Sequence, residues 1–217
     1  MIIHGYHSRA LNMEHWAQAF YENFNCDLFL PDLRSHGESE GNLVGWGIED
    51  KEDIKEWVNL LHQQHPNRPI VLFGVSMGGA TVNYLSCEEM PGVKALVEDC
   101  GYSTLYEEFD FQSKRVTKLP LAPFYYGMNQ QTKANSHYSI KDGDGIECVK
   151  HAKYPMMFIH GLDDEVVPFH MVYDLFNACC QEKQLFVVKD AKHGHAIRLE
   201  RDNYLKLLKE FLDEHLA

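Results

Sequence analysis

The stretch from Ile70 to Ala80 limits what this chain can fold into more than any other. Ile70-Val71-Leu72-Phe73 is an apolar run rich in β-branched residues, it closes at Gly74-Val75-Ser76-Met77-Gly78, and small helix-compatible residues follow. A serine with glycines two positions before and two after, at the passage from strand to helix, is the pattern of a nucleophile elbow, a sharp turn that holds the hydroxyl exposed. Side chains at positions 74 and 78 would crowd the strand against the helix, so these glycines are permissive rather than reactive. The pentapeptide alone recurs by chance in many proteins, and the surrounding chain decides its meaning.

That surrounding chain alternates. A strand end at residues 1–3 leads through the polar loop His4-Gly5-Tyr6-His7-Ser8 to a helix over 12–24, with Asn12 as its N-cap and Trp16, Ala17, Phe20 and Phe24 at helical spacing. Residues 26–30 read as a strand closed by Pro31, and 48–64 as an amphipathic helix with Ile54, Trp57, Val58 and Leu61 on one face. Strands at 70–75, 93–97, 156–160 and 184–188 and helices at 77–87, 169–179 and 199–216 complete the alternation. Regular strand-helix alternation implies an α/β fold: a mostly parallel, doubly wound sheet with helices on both faces. The rhythm breaks only over 102–153, long enough for a cap-like insertion, and 217 residues suit a single domain over 1–217.

Composition narrows the partners. With 20 Lys and Arg against 32 Asp and Glu the formal charge is -12, which disfavours nucleic acid and anionic membrane surfaces. The six cysteines form no C-x-x-C pair and read as reduced, consistent with a cytoplasmic protein; no apolar run approaches the ~20 residues of a membrane span.

A serine needs a base, and the base needs a carboxylate to orient it. In a parallel sheet such groups follow the strand ends, at one edge. Two loops qualify: His160 to Pro168, which carries Asp163 and Asp164, and Ala191 to Ala196, which carries His193 and His195. Asp99, at the end of the 93–97 strand, is an alternative acid.

Six motifs in order then resemble the α/β-hydrolases, specifically a bacterial serine-hydrolase subfamily: His4 to Tyr6, Pro31 to Gly41, Gly74 to Val82, Val97 to Ser103, Phe158 to Pro168, and Gly194-His195-Ala196. The resemblance covers nearly the whole chain. It implies Ser76 as nucleophile, Asp164 as the acid, with Asp163 second, and His195 as general base, with His193 competing and the Gly-His-Ala pattern favouring His195. An oxyanion hole would be formed by the backbone N–H groups of Met77 and Tyr6. Relatives of this kind are esterases, peptidase-like hydrolases or uncharacterised, so the expectation is a serine esterase acting on small esters. Amide or peptide hydrolysis, or a non-catalytic scaffold used for binding, are the other readings. Relatives also place two or more strands before the His-Gly motif, so the chain reads as shortened at its N-terminus. The edge this leaves, at 26–30, would favour a homodimer.

Other polar groups read as structural. Asp32, Arg34 and His36 hold their loop by local hydrogen bonds. Asp142-x-Asp144 lacks the later acidic ligand of a calcium loop, and neither His193-x-His195 nor His4 with His7 has zinc-ligand spacing, so no metal or cofactor is expected. The cluster from Pro120 to Tyr126 either lines an acyl pocket or anchors the cap to the sheet.

Overall fold

The structure, a computed structural model, describes residues 1–136 and 138–216. Its centre is a sheet of five parallel strands in the order β1 (Ile2–Ile3), β2 (Ile70–Val75), β3 (Val93–Asp99), β4 (Met156–Gly161) and β5 (Lys183–Val188). The inner strands are apolar on both faces, as a sheet covered on both sides requires. One face packs against α1 (Glu14–Asn23), with Trp16 and Phe20, and against the C-terminal α9 (Arg201–His215), with Tyr204, Leu208 and Phe211. The opposite face packs against α2 (Asp50–Gln64), with Ile54 and Val58, and α3 (Met77–Leu85), which is buried throughout.

Three expectations are corrected. Residues 26–30 form no strand; they run extended beside β1, where the Ile2 N–H donates to the Phe29 carbonyl at 2.8 Å, and Pro31 follows at once. Asn12 is not a helix cap, because a 3₁₀ turn over Ala10–Met13 precedes α1. Trp57 stands 39% exposed, stacked against Phe29 rather than packed in the core. The Asp142 carboxylate accepts from the Ser139 N–H at 2.7 Å and Asp144 from the Glu147 N–H at 2.9 Å, so both cap short helical turns.

The segment between β3 and β4 folds as α4 (Leu105–Thr117), α5 (Ala122–Ser136) and α6 (Gly145–Val149). Thr104 caps α4 by accepting from the Glu107 N–H, and Lys118 ends it in a left-handed conformation. After β4 and after β5 come α7 (His170–Ala178) and the short α8 (Ala196–Leu199). All six cysteines are free. Among the described residues no helix is long and apolar enough to cross a membrane.

Candidate functional site

Parallel strands bring all their C-terminal ends to one edge, and the candidate site lies there. Ser76 follows β2 directly, with φ 58° and ψ -118°, a left-handed conformation rare for a residue with a side chain. The turn closes because its N–H donates to the Asp99 carbonyl at 2.9 Å and its carbonyl accepts from the Ala80 N–H at 2.9 Å. Its tightness explains the flanking glycines: a Cβ at Gly74 would lie 2.1 Å from the Gly78 carbonyl oxygen, and one at Gly78 would lie 2.2 Å from that of Ile3.

Two side chains complete a relay from this hydroxyl. His193 Nε2 lies 2.8 Å from Ser76 Oγ, and His193 Nδ1 lies 2.7 Å from Asp164 Oδ2. Asp164 is buried, and its other oxygen accepts from the N–H groups of Val166 and Val167 at 2.8 and 2.9 Å. Burial alone would raise its pKa, but hydrogen bonds and attraction from His160 and His193 outweigh it and hold the carboxyl well below the usual carboxylate range. Asp164 is therefore ionised across ordinary pH, the state that favours a proton on His193 Nδ1 and leaves Nε2 free to accept from Ser76.

The histidine that the structure brings to Ser76 is His193, not the expected His195. Gly194, at φ 67°, turns the chain between the two histidines, so that His193 reaches inward while His195 is exposed and opens α8. The expected acid, Asp164, lies in the relay, and its neighbour Asp163 is exposed. Asp99 is buried but faces elsewhere: its carboxylate accepts from the Tyr204 hydroxyl at 2.8 Å.

The loop 4–8 lies against the serine. A Cβ at Gly5 would stand 3.0 Å from Ser76 Cβ and 3.4 Å from its Oγ. The loop is fixed by two histidines whose roles follow from their partners. Fully buried His4 accepts the Leu33 N–H on Nε2 at 2.9 Å and so carries its proton on Nδ1, which donates to the Gly5 carbonyl at 2.8 Å. Burial lowers its pKa, in keeping with this neutral form. His36 likewise accepts the His7 N–H on Nε2 and donates from Nδ1 to the Arg34 carbonyl. Asp32 accepts from the N–H groups of Ala10 and Glu38, and Arg34 pairs with Asp53 and Glu49, so the 32–41 loop buttresses the 4–10 loop. Neither the Tyr6 nor the Met77 N–H has a hydrogen-bond partner among the described residues. Tyr6 itself packs between the rings of His7 and Trp46.

Two residues at the site carried no signal of their own in the sequence. His160, on β4, is fully buried with Nε2 3.0 Å from the Val167 carbonyl and 3.4 Å from Asp164 Oδ2; its place four residues before Asp164 was the available clue. Cys100, buried at φ 53°, brings its sulfur within 4.8 Å of the ligand atoms of Asp164 and His193. Glu107, His170 and Asp174 form a second such group at the surface. In the first, the Nδ1–Asp164 hydrogen bond already occupies two of the three atoms, and in the second the His170–Glu107 pair does so.

Known proteins resemble this chain in sequence and in fold. The chain is 24% identical over 215 residues to the uncharacterized protein YqkD of Bacillus subtilis, covering 98% of this chain and 70% of that protein. It is 26% identical to the protein bem46 of Schizosaccharomyces pombe, covering 97% of this chain and 66% of that one, so it spans about two thirds of these relatives' length. The Pyrococcus furiosus esterase Pf2001 superposes over 100% of this chain and 82% of its own with a TM-score of 0.76, at 21% identity, a likeness of fold. The family model described as serine aminopeptidase, S33 (Hydrolase_4), matches residues 1–109. With that match, the parallel sheet and the strand-turn-helix at Ser76 in place, the chain is an α/β-hydrolase and belongs to the Hydrolase_4 family.

Proposed function

We propose that this hydrolase is a serine esterase that works through an acyl-enzyme on Ser76. The observation that carries this reading is the unbroken relay from Ser76 Oγ through His193 to the buried Asp164 carboxylate. As Oγ attacks the substrate carbonyl, its proton passes to His193 Nε2, and Asp164 stabilises the imidazolium through Nδ1–H. The developing oxyanion is received by the backbone N–H groups of Met77, at the positive end of α3, and Tyr6. Collapse breaks the bond to the leaving group, which takes the proton from His193 Nε2. Water then attacks the acyl carbonyl with His193 again as base, releasing the acid and restoring Ser76.

Likeness to the Pyrococcus furiosus esterase Pf2001 favours esters over amides. The family description as an aminopeptidase supports the second reading, cleavage of an amide or peptide bond by the same steps. A series of p-nitrophenyl esters of increasing acyl length, run beside aminoacyl p-nitroanilides on wild type and Ser76→Ala, tests both. The expected result is ester turnover in wild type that falls by at least roughly 10³-fold in Ser76→Ala. Turnover of the anilides alone would replace the ester reading by the peptidase one, and equal rates in the two proteins would overturn the role of Ser76.

A further inference from the structure

The charge of this chain is not evenly spread. From Phe111 to Lys141 there are five Lys and Arg residues (Lys114, Arg115, Lys118, Lys133 and Lys141) and no Asp or Glu, so all 32 acidic residues lie outside this segment. Lys114 is paired with Asp110 just before it, while Arg115, Lys118 and Lys133 form no ion pair among the described residues. The segment also exposes several large apolar side chains. Val116 and Tyr126 are each 74% exposed, and Leu119, Phe124 and Met128 stand exposed with them. Every residue from Lys114 to Pro120 is exposed, and Ser136 is the one buried residue of α5. Phe124 and Met128, four residues apart, share one face of α5 that a helix ordinarily buries, Tyr126 stands exposed on another side, and a Cβ at Gly127 would meet nothing within 4 Å. Within the cluster from Pro120 to Tyr126, Leu121 is buried and Tyr125 packs against Tyr106 and the core, while Pro120, Phe124 and Tyr126 are exposed.

We propose that the tip of α4, the 118–121 turn and α5 form a docking surface for an anionic lipid bilayer. Unpaired cations beside exposed aliphatic and aromatic side chains are the combination that binds such an interface, the cations drawn to headgroups and the apolar groups buried at the acyl boundary. Charge complementarity selects this partner: the net charge of -12 repels an anionic surface from the body of the protein and leaves this cationic projection as the face it can approach. Aliphatic Val116 and Leu119 at the tip favour lipid over nucleic acid, which would call for stacking aromatics alone.

The surface is tied to the site. The Gln112 amide donates to the Val166 carbonyl and the Arg115 guanidinium to the Glu165 carbonyl, so α4 lies directly on the loop that carries Asp164. Docking would therefore present the Ser76 edge to lipophilic molecules in the bilayer. The binding itself does not depend on the chemistry assigned to Ser76.

Co-sedimentation of the full chain with phosphatidylcholine vesicles, with and without an equal part of phosphatidylglycerol, tests the proposal. Sedimentation with the anionic vesicles only, weakened by added salt and unchanged in Ser76→Ala, is expected. The triple variant Arg115→Glu, Lys118→Glu, Lys133→Glu should bind at least roughly tenfold more weakly, and so should Val116→Ser combined with Leu119→Ser. All these residues are exposed, and an unchanged circular dichroism melt confirms the fold. Absence of vesicle binding, or binding that both variants retain, overturns the proposal. So does a result in which the same residues instead mediate self-association or oligonucleotide binding.

Discussion

His193 and His195 are separated by one glycine, yet only His193 reaches Ser76, with Nε2 2.8 Å from Oγ, while His195 is exposed at the start of α8. Gly194 makes the difference, since its left-handed backbone sends the two imidazoles in different directions. His193→Ala should lower kcat on an ester substrate by roughly 10³-fold or more, whereas His195→Ala should change it by less than about threefold. Steady-state kinetics on the two purified variants check this.

Asp164 gives a graded version of the same test. Asp164→Asn keeps an acceptor for the Val166 and Val167 N–H groups but removes the charge that orients His193. A fall in kcat of roughly 10³- to 10⁴-fold with little change in thermal midpoint is expected. A fall explained by unfolding instead would appear as a large loss of melting temperature.

The Ser76 turn is intolerant of bulk on both sides, to different effect. A Cβ at Gly74 would press on the backbone of Gly78 at 2.1 Å, so Gly74→Ala should destabilise the fold by roughly 2–3 kcal/mol in urea denaturation. Gly5→Ala meets Ser76 itself at 3.0 Å, a contact that a shift of a few tenths of an ångström relieves. Its cost should therefore appear in kcat more than in stability.

Glu108 makes the protein sensitive to pH. It is buried on α4, one oxygen accepts from Gln112 and the other has no partner among the described residues; burial pushes its pKa up to about 7. A carboxyl whose folded pKa is raised binds its proton more tightly in the folded state, so stability is lost as pH climbs from about 4.5 to about 7. Glu108→Gln should remove this loss. At pH 8 it should be more stable than wild type by roughly 2–3 kcal/mol, and the gap should narrow below pH 5, as chemical denaturation at the two pH values would show.

The framework was legible because it rests on local signals: β-branched runs, helical spacing and the obligatory glycines at 74 and 78. The positions of Ser76 and of the loop that carries Asp164 follow from the same logic, since a parallel sheet delivers its loops to one edge. The choice between His193 and His195 was not legible. Both follow β5 in one loop, and the deciding fact is the conformation of Gly194, which a neighbouring Gly-His-Ala pattern does not encode. The segment 26–30 misled for a related reason: it has strand composition, but only a long-range partner such as Ile2 decides how much of a ladder forms. His160 was silent because a buried histidine and a core residue look alike until the carbonyl of Val167 and the carboxylate of Asp164 are seen beside it. The exposed aromatics of α5 likewise read as a pocket or an anchor, because sequence shows an apolar cluster and not which side of it faces solvent.

Labelling by a fluorophosphonate probe, which traps an activated serine, tests the Ser76–His193–Asp164 relay most directly when run on wild type, Ser76→Ala, His193→Ala and His195→Ala side by side. Wild type and His195→Ala should label at comparable rates, Ser76→Ala should not label, and His193→Ala should label roughly 10³-fold more slowly or not at all. An unlabelled wild type, or loss of labelling in His195→Ala with retention in His193→Ala, would contradict it.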